Sequence, residues 1–551
     1  MNNSSKQLPL FRRRHHDNSP APNVTSWLLH HRKRLALISI GILIFLFLGS
    51  TTSNSSRSAD SQGSDSQREP TSYRIDLPVW PTTLDNDNEQ QQSAFTPGMF
   101  MTDALSRNSD LKAVTAVIYR ISQDPDKVVR VVHHLLRYPF IREIYIHNPM
   151  TRQKLTVEQL ALDINKASHI NIEIFDEKNE HLGSFARFTT CAMASFDTCF
   201  MQDDTWINPN MDTLYLNMIR FPTLIHAHSP PTLYLDQVRR RFRNSEVSMH
   251  SGYVDLQYGT FLPRTEAQTF LTKMGKSSLG KDRIRLADIY FALWTNQYPW
   301  ILENPIHSAA STALDESTIT QQPSTEWSSR VYSNILQAAR RMQRTLEADL
   351  SDAPKDFFER SEEVPTLDER DVRASCTNDR CMFITNMDFI PDPSNLTFNR
   401  TEVTSIPDWE KTYDTIGNIP THEFFAEHAY HMAVDQDPNT CWNTFEKPKR
   451  GDYFGLILMG DIRPELLQIY TCNDIQHAEG LFGVEVSKDG NEWVTCKTKS
   501  TSGWHHVPPR LRIGLECGQD VDSIRAIRII FRQDGPEPFN VCGLGLDSFV
   551  V

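Results

Sequence analysis

The chain is organised around SFDTCFMQDDTWINPN, residues 195–210. The first half of this stretch is mostly apolar, two adjacent acids follow at Asp203 and Asp204, and the chain breaks at Asn208-Pro209. A short apolar run bounded by turn residues predicts a buried strand. Acids at its end offer carboxylate oxygens to Mg²⁺ or Mn²⁺, which often share their remaining positions with phosphates. The alternative is a strand followed by a solvated acidic turn.

Alternating strand and helix patterns surround this stretch. AVTAVIYRI (113–121) and REIYIHN (142–148) predict strands, and residues 124–139 between them have apolar side chains at helical spacing. A strand from 172 and a helix over 182–195 then lead into the strand that ends at the acids. This order predicts an α/β fold with a parallel sheet and a ligand at the carboxyl ends of its strands. The usual glycine-rich phosphate loops are missing from the sequence, so a nucleotide would be held by metal and side chains.

Charge is distributed unevenly along the 551 residues. The formal net charge of −13 argues against general nucleic-acid binding, because a surface that follows phosphates is normally basic. The tail 1–34 is nevertheless basic, and it precedes the apolar run 35–52, LALISIGILIFLFLGSTT. We interpret this run as an uncleaved transmembrane signal anchor rather than a cleaved signal peptide, since no small-x-small cleavage site follows. The basic flank stays in the cytosol, so the rest of this type II membrane protein is expected in the lumen.

The segment after the anchor predicts a disordered stem, residues 53–111, because it is rich in Ser, Asn, Asp and Gln. All nine cysteines follow the anchor, and a lumenal compartment permits disulfide bonds. Their odd number leaves at least one thiol free or paired elsewhere, and Cys376 and Cys381 are close enough to close a small loop. The sequons at Asn395 and Asn399 predict a glycosylated lumenal loop.

The last part of the chain, residues 406–551, has a different pattern. Short β segments separated by turn signals predict an antiparallel sandwich. AYHMAVDQDPNTCWNT (429–444), SKDGNEW (487–493) and IRAIRIIF (524–531) resemble the discoidin, or coagulation-factor type C, module, a galactose-binding-like jelly roll. The resemblance implies a carbohydrate-binding or substrate-positioning domain. Residues 346–405 are interpreted as a connector without a chemical motif.

The segment 112–345 resembles a GT-A glycosyltransferase over roughly residues 112–307. AVTAVIYRI, VVRVVHHLLRYP and FIREIYIHNP are similar to the start of the exostosin-like transferase domain. In that family an acid-rich triplet after a buried strand binds the metal of a nucleotide-sugar. The triplet here is Gln202-Asp203-Asp204, in which Gln replaces the first acid. The resemblance implies that Asp204 is the metal ligand and that Gln202 and Asp203 face ribose or metal-bound water.

The same resemblance assigns four further residues. It implies that Asp288 leads a helix toward the acceptor and serves as the catalytic base, and that His307 is a metal ligand. Arg120 and Arg187 are candidates for contact with phosphate. The alternatives are that Asp288 merely occupies a helix start, where the helix dipole favours acids, and that His307 is a surface residue.

The expected fold class is therefore a GT-A Rossmann-like α/β domain followed by an all-β jelly-roll sandwich, with an N-terminal transmembrane helix. The expected function is transfer of a sugar from a nucleotide-sugar, in the first instance a UDP-sugar, to a glycan or glycoprotein acceptor. Mn²⁺ or Mg²⁺ would be the cofactor, and the Golgi membrane, or else the endoplasmic reticulum, would be the location. The alternative is a catalytically inactive, membrane-tethered lectin or adhesion protein, which Gln202 favours. A protease or hydrolase is disfavoured, because the sequence has neither a Gly-x-Ser-x-Gly nor a His-Glu-x-x-His motif.

Overall fold

The computed structural model describes most of the chain after residue 110. The described residues are 111–150, 153–160, 170–177, 182–277, 279–310, 325–349, 370–388, 414–416, 419–473, 480–498, 504–507, 510–518, 521 and 523–550. The predicted anchor, the stem up to residue 110 and the sequons lie outside them. In the described part of the chain, no helix combines the length and apolar character needed to cross a membrane.

The chain forms two compact units. One comprises residues 69–273 and 279–551 and contains both domains described below. Of the other unit, the structure describes residues 274–277, which include the end of one helix.

The first domain alternates strands and helices. Its strands are β1 (Val114–Tyr119), β2 (Ile141–Asn148), β3 (Asn171–Asp176), β4 (Thr198–Asp203), β5 (Trp206–Ile207), β6 (His226–Ser229), β7 (Arg241–Asn244), β8 (Met249–Gly252), β9 (Thr260–Pro263), β10 (Trp300–Glu303) and β11 (His307–Ser308). Its helices are α1 (Pro125–Leu135), α2 (Phe185–Ala192), α3 (Met211–Arg220), α4 (Pro231–Val238), α5 (Arg264–Lys276), α6 (Lys281–Ile284), α7 (Ala287–Trp294) and α8 (Thr325–Asp349). The strands and helices predicted between 113 and 204 are confirmed, and both predicted helices are shorter than expected.

Local sequence explains these elements well. Helix α1 begins after Asp124, whose carboxylate accepts the Asp126 N–H at 3.0 Å, and Pro125 occupies its first turn, where a missing N–H costs nothing. Its four buried aliphatic residues recur at helical spacing, and they are Val128, Val131, Val132 and Leu135. Strand β4 is buried along its whole length, as expected for a strand covered on both faces.

The main sheet has seven strands in the order β10-β6-β9-β4-β1-β2-β3. All of its pairings are parallel except those of β9, which is antiparallel to β4 and β6. The predicted parallel sheet is therefore confirmed for β1 to β4, and β9 is the antiparallel exception. Strand β9 starts at the carboxyl edge of the sheet, where Thr260 pairs with Ala227 of β6 and the His228 N–H donates to the Gly259 carbonyl at 3.2 Å, and it runs back from there.

The second domain is an antiparallel β-sandwich, as predicted. Its strands are β12 (Val372–Ser375), β13 (Cys381–Thr385), β14 (Thr415–Ile416), β15 (Ile419–Pro420), β16 (Trp442–Asn443), β17 (Tyr453–Tyr470), β18 (Phe482–Ser487), β19 (Val494–Thr498), β20 (Trp504–Val507), β21 (Arg510–Glu516), β22 (Ile524–Phe531), β23 (Asn540–Val541) and β24 (Gly543–Val550), and its helix is α9 (Thr421–Glu427). Strand β17 belongs to both layers, since its first half pairs with β13 and β22 and its second half with β21 and β24. Strands β12 and β13 place the start of this sheet inside the predicted connector.

The two domains share one hydrophobic core. Strand β12 runs beside β10, and the Trp300 indole donates to the Val372 carbonyl at 3.0 Å. Buried residues of the sandwich, among them Met382 and Ile457, belong to the same cluster as the core of the α/β sheet. Such a continuous core predicts that the domains do not move freely against each other.

A buried polar network also crosses this seam, and we call it the seam network: Asn208, Thr213, His228, Ser375 and Asp379. The Asn208 amide donates to His228 Nδ1 at 2.8 Å, which leaves the ring proton on Nε2, 3.2 Å from Ser375 Oγ. The Ser375 and Thr213 hydroxyl oxygens are 2.7 Å apart. The Asp379 carboxylate accepts the Asp212 N–H at 2.7 Å and the Thr213 N–H at 3.0 Å, and the Thr213 hydroxyl also donates to it.

Four disulfide bonds join eight of the nine cysteines. The pairs are Cys191–Cys199, Cys376–Cys381, Cys441–Cys542 and Cys496–Cys517. The small loop predicted between Cys376 and Cys381 is confirmed. Its turn places Asp379 in the left-handed region, at φ 55°, where the side chain reaches the start of α3.

Candidate functional site

The paired acids lie at the carboxyl edge of the sheet. In the register of β1 and β4, Asp203 lies opposite Tyr119 at the ends of the two parallel strands. Asp203 is 3% exposed and Asp204 is fully buried. The solvated acidic turn is therefore wrong, because both carboxylates are enclosed by the protein.

Helix α2 brings Arg187 to these acids. Arg187 is 4% exposed, and its Nη2 forms a close ion pair with Asp203 Oδ1. Its Nη1 lies 3.7 Å from Asp288 Oδ2, and its guanidinium lies 4.9 Å from the centre of the Tyr119 ring. The structure thus brings together three residues that the sequence singled out separately: Arg187, Asp203 and Asp288.

A third acid, Asp255, completes the group that we call the edge cluster: Arg187, Asp203, Asp255 and Asp288. Asp255 precedes a 3₁₀ turn and accepts the Gln257 N–H at 3.3 Å and the Gln257 amide at 2.8 Å. Sequence reasoning missed Asp255 as a site residue. The visible signal was an acid within the glycine-containing stretch before β9, but only the reversal of β9 brings that stretch to the edge of β4.

Burial shapes the protonation of the edge cluster. Burial raises the pKa of Asp203 to about 8, with Arg187 opposing the rise and Asp288 and Asp255 adding to it. Burial also raises the pKa of Asp288 to about 6, again against Arg187. Burial disfavours the charge on Arg187, but Asp203 and Asp288 outweigh that effect and raise its pKa. At neutral pH the cluster therefore holds a charged guanidinium and an ionised Asp288, while at Asp203 burial opposes ionisation of the carboxyl group and the ion pair with Arg187 favours it.

Polar atoms of this edge are left without partners. Among the described residues, Arg187 Nε, Gln202 Oε1 and Asp288 Oδ1 are buried and have no hydrogen-bond partner. Buried polar atoms in native proteins are usually paired, and exceptions call for a specific explanation such as an absent ligand. The arrangement fits a polar or charged ligand at the carboxyl edge of the sheet.

Asp204 holds the loop after β1. Its Oδ1 accepts the N–H groups of Ile121 and Ser122 at 2.9 and 3.1 Å, and within the described residues Oδ2 accepts only the Ser122 N–H, at 3.2 Å. Burial raises its pKa, and these N–H bonds oppose the rise. Oδ2 thus keeps lone pairs for a further partner, and Gln202 Oε1 is a second oxygen that can serve as a metal ligand. The Gln202 amide nitrogen donates a hydrogen bond to the Trp206 carbonyl.

Asp204 Oδ2 and Gln202 Oε1 are oxygens of the type that Mn²⁺ and Mg²⁺ take as ligands. Both cations prefer oxygen ligands and often take only one or two from the protein when phosphates supply others. In the described part of the chain, three His, Cys, Asp or Glu ligand atoms lie within 4.8 Å of one another only at Cys441, Cys472 and Cys542. A cation here would therefore depend on the ligand for further contacts.

His307 and Arg120 occupy different surroundings. His307 lies on β11 opposite Ile207 of β5, a short strand that begins shortly after Asp204 in the sequence. Burial lowers the pKa of His307. Arg120 is 1% exposed and uses all five of its N–H donors within the protein. The acceptors are Ser122 O, Gln123 O, Gln153 O, Gln153 Oε1 and Asn148 Oδ1. Arg120 therefore holds the loops after β1 and β2.

The sandwich has a separate cavity of about 330 Å³. It is lined by Arg450, Gly451, Glu485, Thr495, Ile530, Phe531 and Arg532. Glu485 is paired with Arg528 at 2.7 Å, and that guanidinium lies 4.1 Å from the centre of the Trp493 ring. The cavity is thus lined by Ile530 and Phe531 at the end of β22 together with charged residues and Thr495.

Comparison with known proteins finds similarity only to solved structures. Protein-family models and curated proteins yield no match. The similar structures are carbohydrate-binding modules and related domains. A CBM32 module of CpGH89 from Clostridium perfringens, in complex with GalNAc-β-1,3-galactose, is 14% identical with a TM-score of 0.18 and covers 22% of this chain and 84% of that chain.

Two other solved structures match a similar share of this chain. The C-terminal domain of a chitobiase from Bacteroides fragilis is 14% identical with a TM-score of 0.18, covering 22% of this chain and 82% of that chain. The family 32 module of Clostridium perfringens NanJ, in complex with galactose, is 10% identical with a TM-score of 0.17. The match covers 22% of this chain and 85% of that chain. At these TM-scores the similarity does not establish what this chain binds.

Proposed function

We propose that the α/β domain is a glycosyltransferase that uses a nucleotide-sugar. The observation that carries the proposal is the edge cluster, a buried guanidinium among three acids with polar atoms left unpaired at the carboxyl ends of parallel strands. Ligands of open α/β sheets bind at this edge. The resemblance of residues 112–307 to GT-A enzymes supports the same function.

Three residues of the edge cluster have a chemical task in this proposal. Arg187 would pair with the diphosphate, because a guanidinium with unpaired N–H groups suits phosphate oxygens. Asp288 keeps 24% of its side chain exposed and is ionised above a pKa of about 6, so it would accept the proton of the acceptor hydroxyl. That hydroxyl oxygen then bonds to the sugar as the nucleoside diphosphate leaves. Asp203 would hold the Arg187 guanidinium in place through their ion pair.

Asp204 Oδ2 and Gln202 Oε1 would hold Mn²⁺ or Mg²⁺ if one accompanies the nucleotide-sugar. When bound, such an ion neutralises charge on the leaving diphosphate. The location proposed with this function is a membrane of the secretory pathway, with the Golgi first. The four disulfides support an oxidising compartment.

Calorimetry tests the proposal directly. The purified protein is titrated with a panel of nucleotide-sugars, with and without Mn²⁺, and at least one should bind. Arg187→Gln should raise the Kd at least tenfold, whereas Arg264→Gln, which alters an ion pair with the exposed Asp197, should leave it unchanged. Asp204→Asn should weaken the Mn²⁺-dependent part of binding. If the wild-type protein binds no nucleotide-sugar in any condition, the enzyme proposal is wrong.

A second function, glycan binding by the sandwich, is favoured by the cavity at Arg450 and Arg532. Its mixture of apolar, charged and hydroxyl-bearing lining residues suits a sugar ring, which presents both C–H faces and hydroxyl groups. This function could accompany transfer or, in a tethered lectin, replace it. Glycan-array binding that survives Arg187→Gln but is lost in Arg532→Ala would assign glycan binding to the sandwich. Binding lost with Arg187→Gln alone would assign it to the α/β domain.

A further inference from the structure

Three sulfur atoms meet at one end of the sandwich. Cys441 and Cys542 form a disulfide, and Cys472 is the free cysteine of the described chain. The Sγ atoms of Cys472 and Cys542 are 3.8 Å apart, and all three sulfurs lie within 4.8 Å of one another. Cys472 is exposed, so a base in solvent can remove its proton.

We propose that this cluster is a thiol–disulfide exchange site with two alternative linkages. The Cys472 thiolate attacks Cys542 Sγ, the new bond joins Cys472 to Cys542, and Cys441 leaves as a thiolate that takes up a proton. One disulfide and one thiol exist before and after the step. The exchange therefore needs no oxidant or reductant, and it does not depend on the transfer activity proposed above.

The backbone around Cys472 is already arranged for the second linkage. The Cys472 N–H donates to Asn540 Oδ1 at 2.7 Å, and the Cys542 N–H donates to the Tyr470 carbonyl at 2.8 Å. Tyr470 and Gly543 are register partners of β17 and β24. Cys472 and Cys542 thus follow and precede paired strands, and their sulfurs are already in contact. Bond formation requires that these sulfurs close to about 2 Å and that the Cys472 side chain turns into line with the Cys441–Cys542 bond, because the three sulfurs now form a bent arrangement.

The exchange would release the covalent link that holds the segment before Cys441. In the present linkage the disulfide reinforces the pairing of β16 with β23, since Cys441 and Cys542 directly flank Trp442 and Val541. After exchange, the turn that leads to Cys441 is held only by hydrogen bonds such as Thr440 Oγ1 to the Asp437 carbonyl at 3.0 Å, and by the buried Trp442. The site therefore decides whether this turn is covalently tied to the C-terminal strands.

Disulfide mapping tests the proposal. The protein is held at pH 8.5 without oxidant, trapped with N-ethylmaleimide, digested without reduction and analysed by mass spectrometry. The label should divide between Cys472 and Cys441, with both the Cys441–Cys542 and the Cys472–Cys542 peptides present. In a glutathione redox buffer, Cys441→Ser should yield the Cys472–Cys542 linkage, and Cys472→Ser should leave no free thiol. The Cys496–Cys517 linkage is the control for a folded sandwich in every sample.

The proposal fails if the wild-type label is confined to Cys472 after prolonged incubation at pH 8.5. It also fails if Cys441→Ser, with Cys496–Cys517 intact, keeps both Cys472 and Cys542 as thiols. The wild-type experiment needs no substitution, so misfolding of a variant does not remove the test.

Discussion

Two buried regions of this molecule contain acids, and they differ in whether their buried polar atoms have hydrogen-bond partners. In the seam network, the Asp379 carboxylate accepts two backbone N–H groups and the Thr213 hydroxyl. In the edge cluster, Arg187 and Asp288 are in contact but leave buried polar atoms unpaired among the described residues. Both regions carry carboxyl groups whose pKa burial raises, so a shifted pKa alone does not distinguish them.

This difference in hydrogen bonding indicates which of the two regions has a structural role. A satisfied buried network adds stability and specifies how two segments pack, whereas an unsatisfied one costs stability and is retained where a ligand supplies the missing partners. The seam network should therefore affect folding, and the edge cluster should affect binding and transfer.

The largest effect is expected from Asp288→Asn. If Asp288 accepts the proton of the acceptor, the substitution should lower kcat about 10²- to 10⁴-fold, because a general base contributes that much. The unfolding free energy should stay the same or rise, since a buried carboxyl is replaced by a neutral amide. Sugar transfer and urea unfolding are measured side by side, with Asp197→Asn, an exposed acid, as the control. Transfer at the wild-type rate would remove the catalytic role.

The opposite result is expected at the seam. Asp379→Ala leaves the Asp212 and Thr213 N–H groups without their acceptor, and we expect it to lower the unfolding free energy by about 3 kcal/mol. Asp379→Asn keeps an acceptor oxygen and tolerates the left-handed backbone, so its loss should be smaller. Urea denaturation measures both, and kcat per folded molecule should not change. Equal stability of Asp379→Ala and wild type would show that the seam network is not structural.

A smaller effect concerns acid stability at the seam. Burial lowers the pKa of His228 to about 3, whereas an unfolded histidine has a pKa of about 6.5. The unfolded state binds more protons between these values, so this contribution to stability is complete above about 6.5 and is lost as the pH falls. From pH 7 to pH 5 the wild type should lose about 2 kcal/mol more than His228→Gln. Matching pH slopes for the two proteins, from urea unfolding, would contradict a neutral buried His228.

The smallest expected effect is the pH dependence of transfer. With the pKa of Asp288 at about 6, kcat/KM should fall about tenfold per pH unit well below pH 6, as the base becomes protonated. Arg187 lowers this pKa, so Arg187→Gln should move the midpoint to higher pH. A pH–rate profile of both proteins measures the shift. A midpoint that does not move would show that Arg187 does not affect the pKa of Asp288.

Local sequence determined much of this protein. The strands β1 to β4, the helix α1 and the antiparallel sandwich could be predicted, because apolar periodicity, caps and turn residues act over a few neighbouring positions. The buried strand that ends at Asp203 could also be predicted from its apolar residues. The small disulfide loop at Cys376–Cys381 followed from its short spacing.

Only the tertiary structure decided which distant segments meet. The antiparallel β9 brings Asp255 to Arg187, and the turn at Asp379 reaches the start of α3 from more than a hundred residues away. The placement of Cys472 against the Cys441–Cys542 disulfide is of the same kind. Such contacts depend on the path of the chain and on the packing of two domains into one core, which no local pattern records.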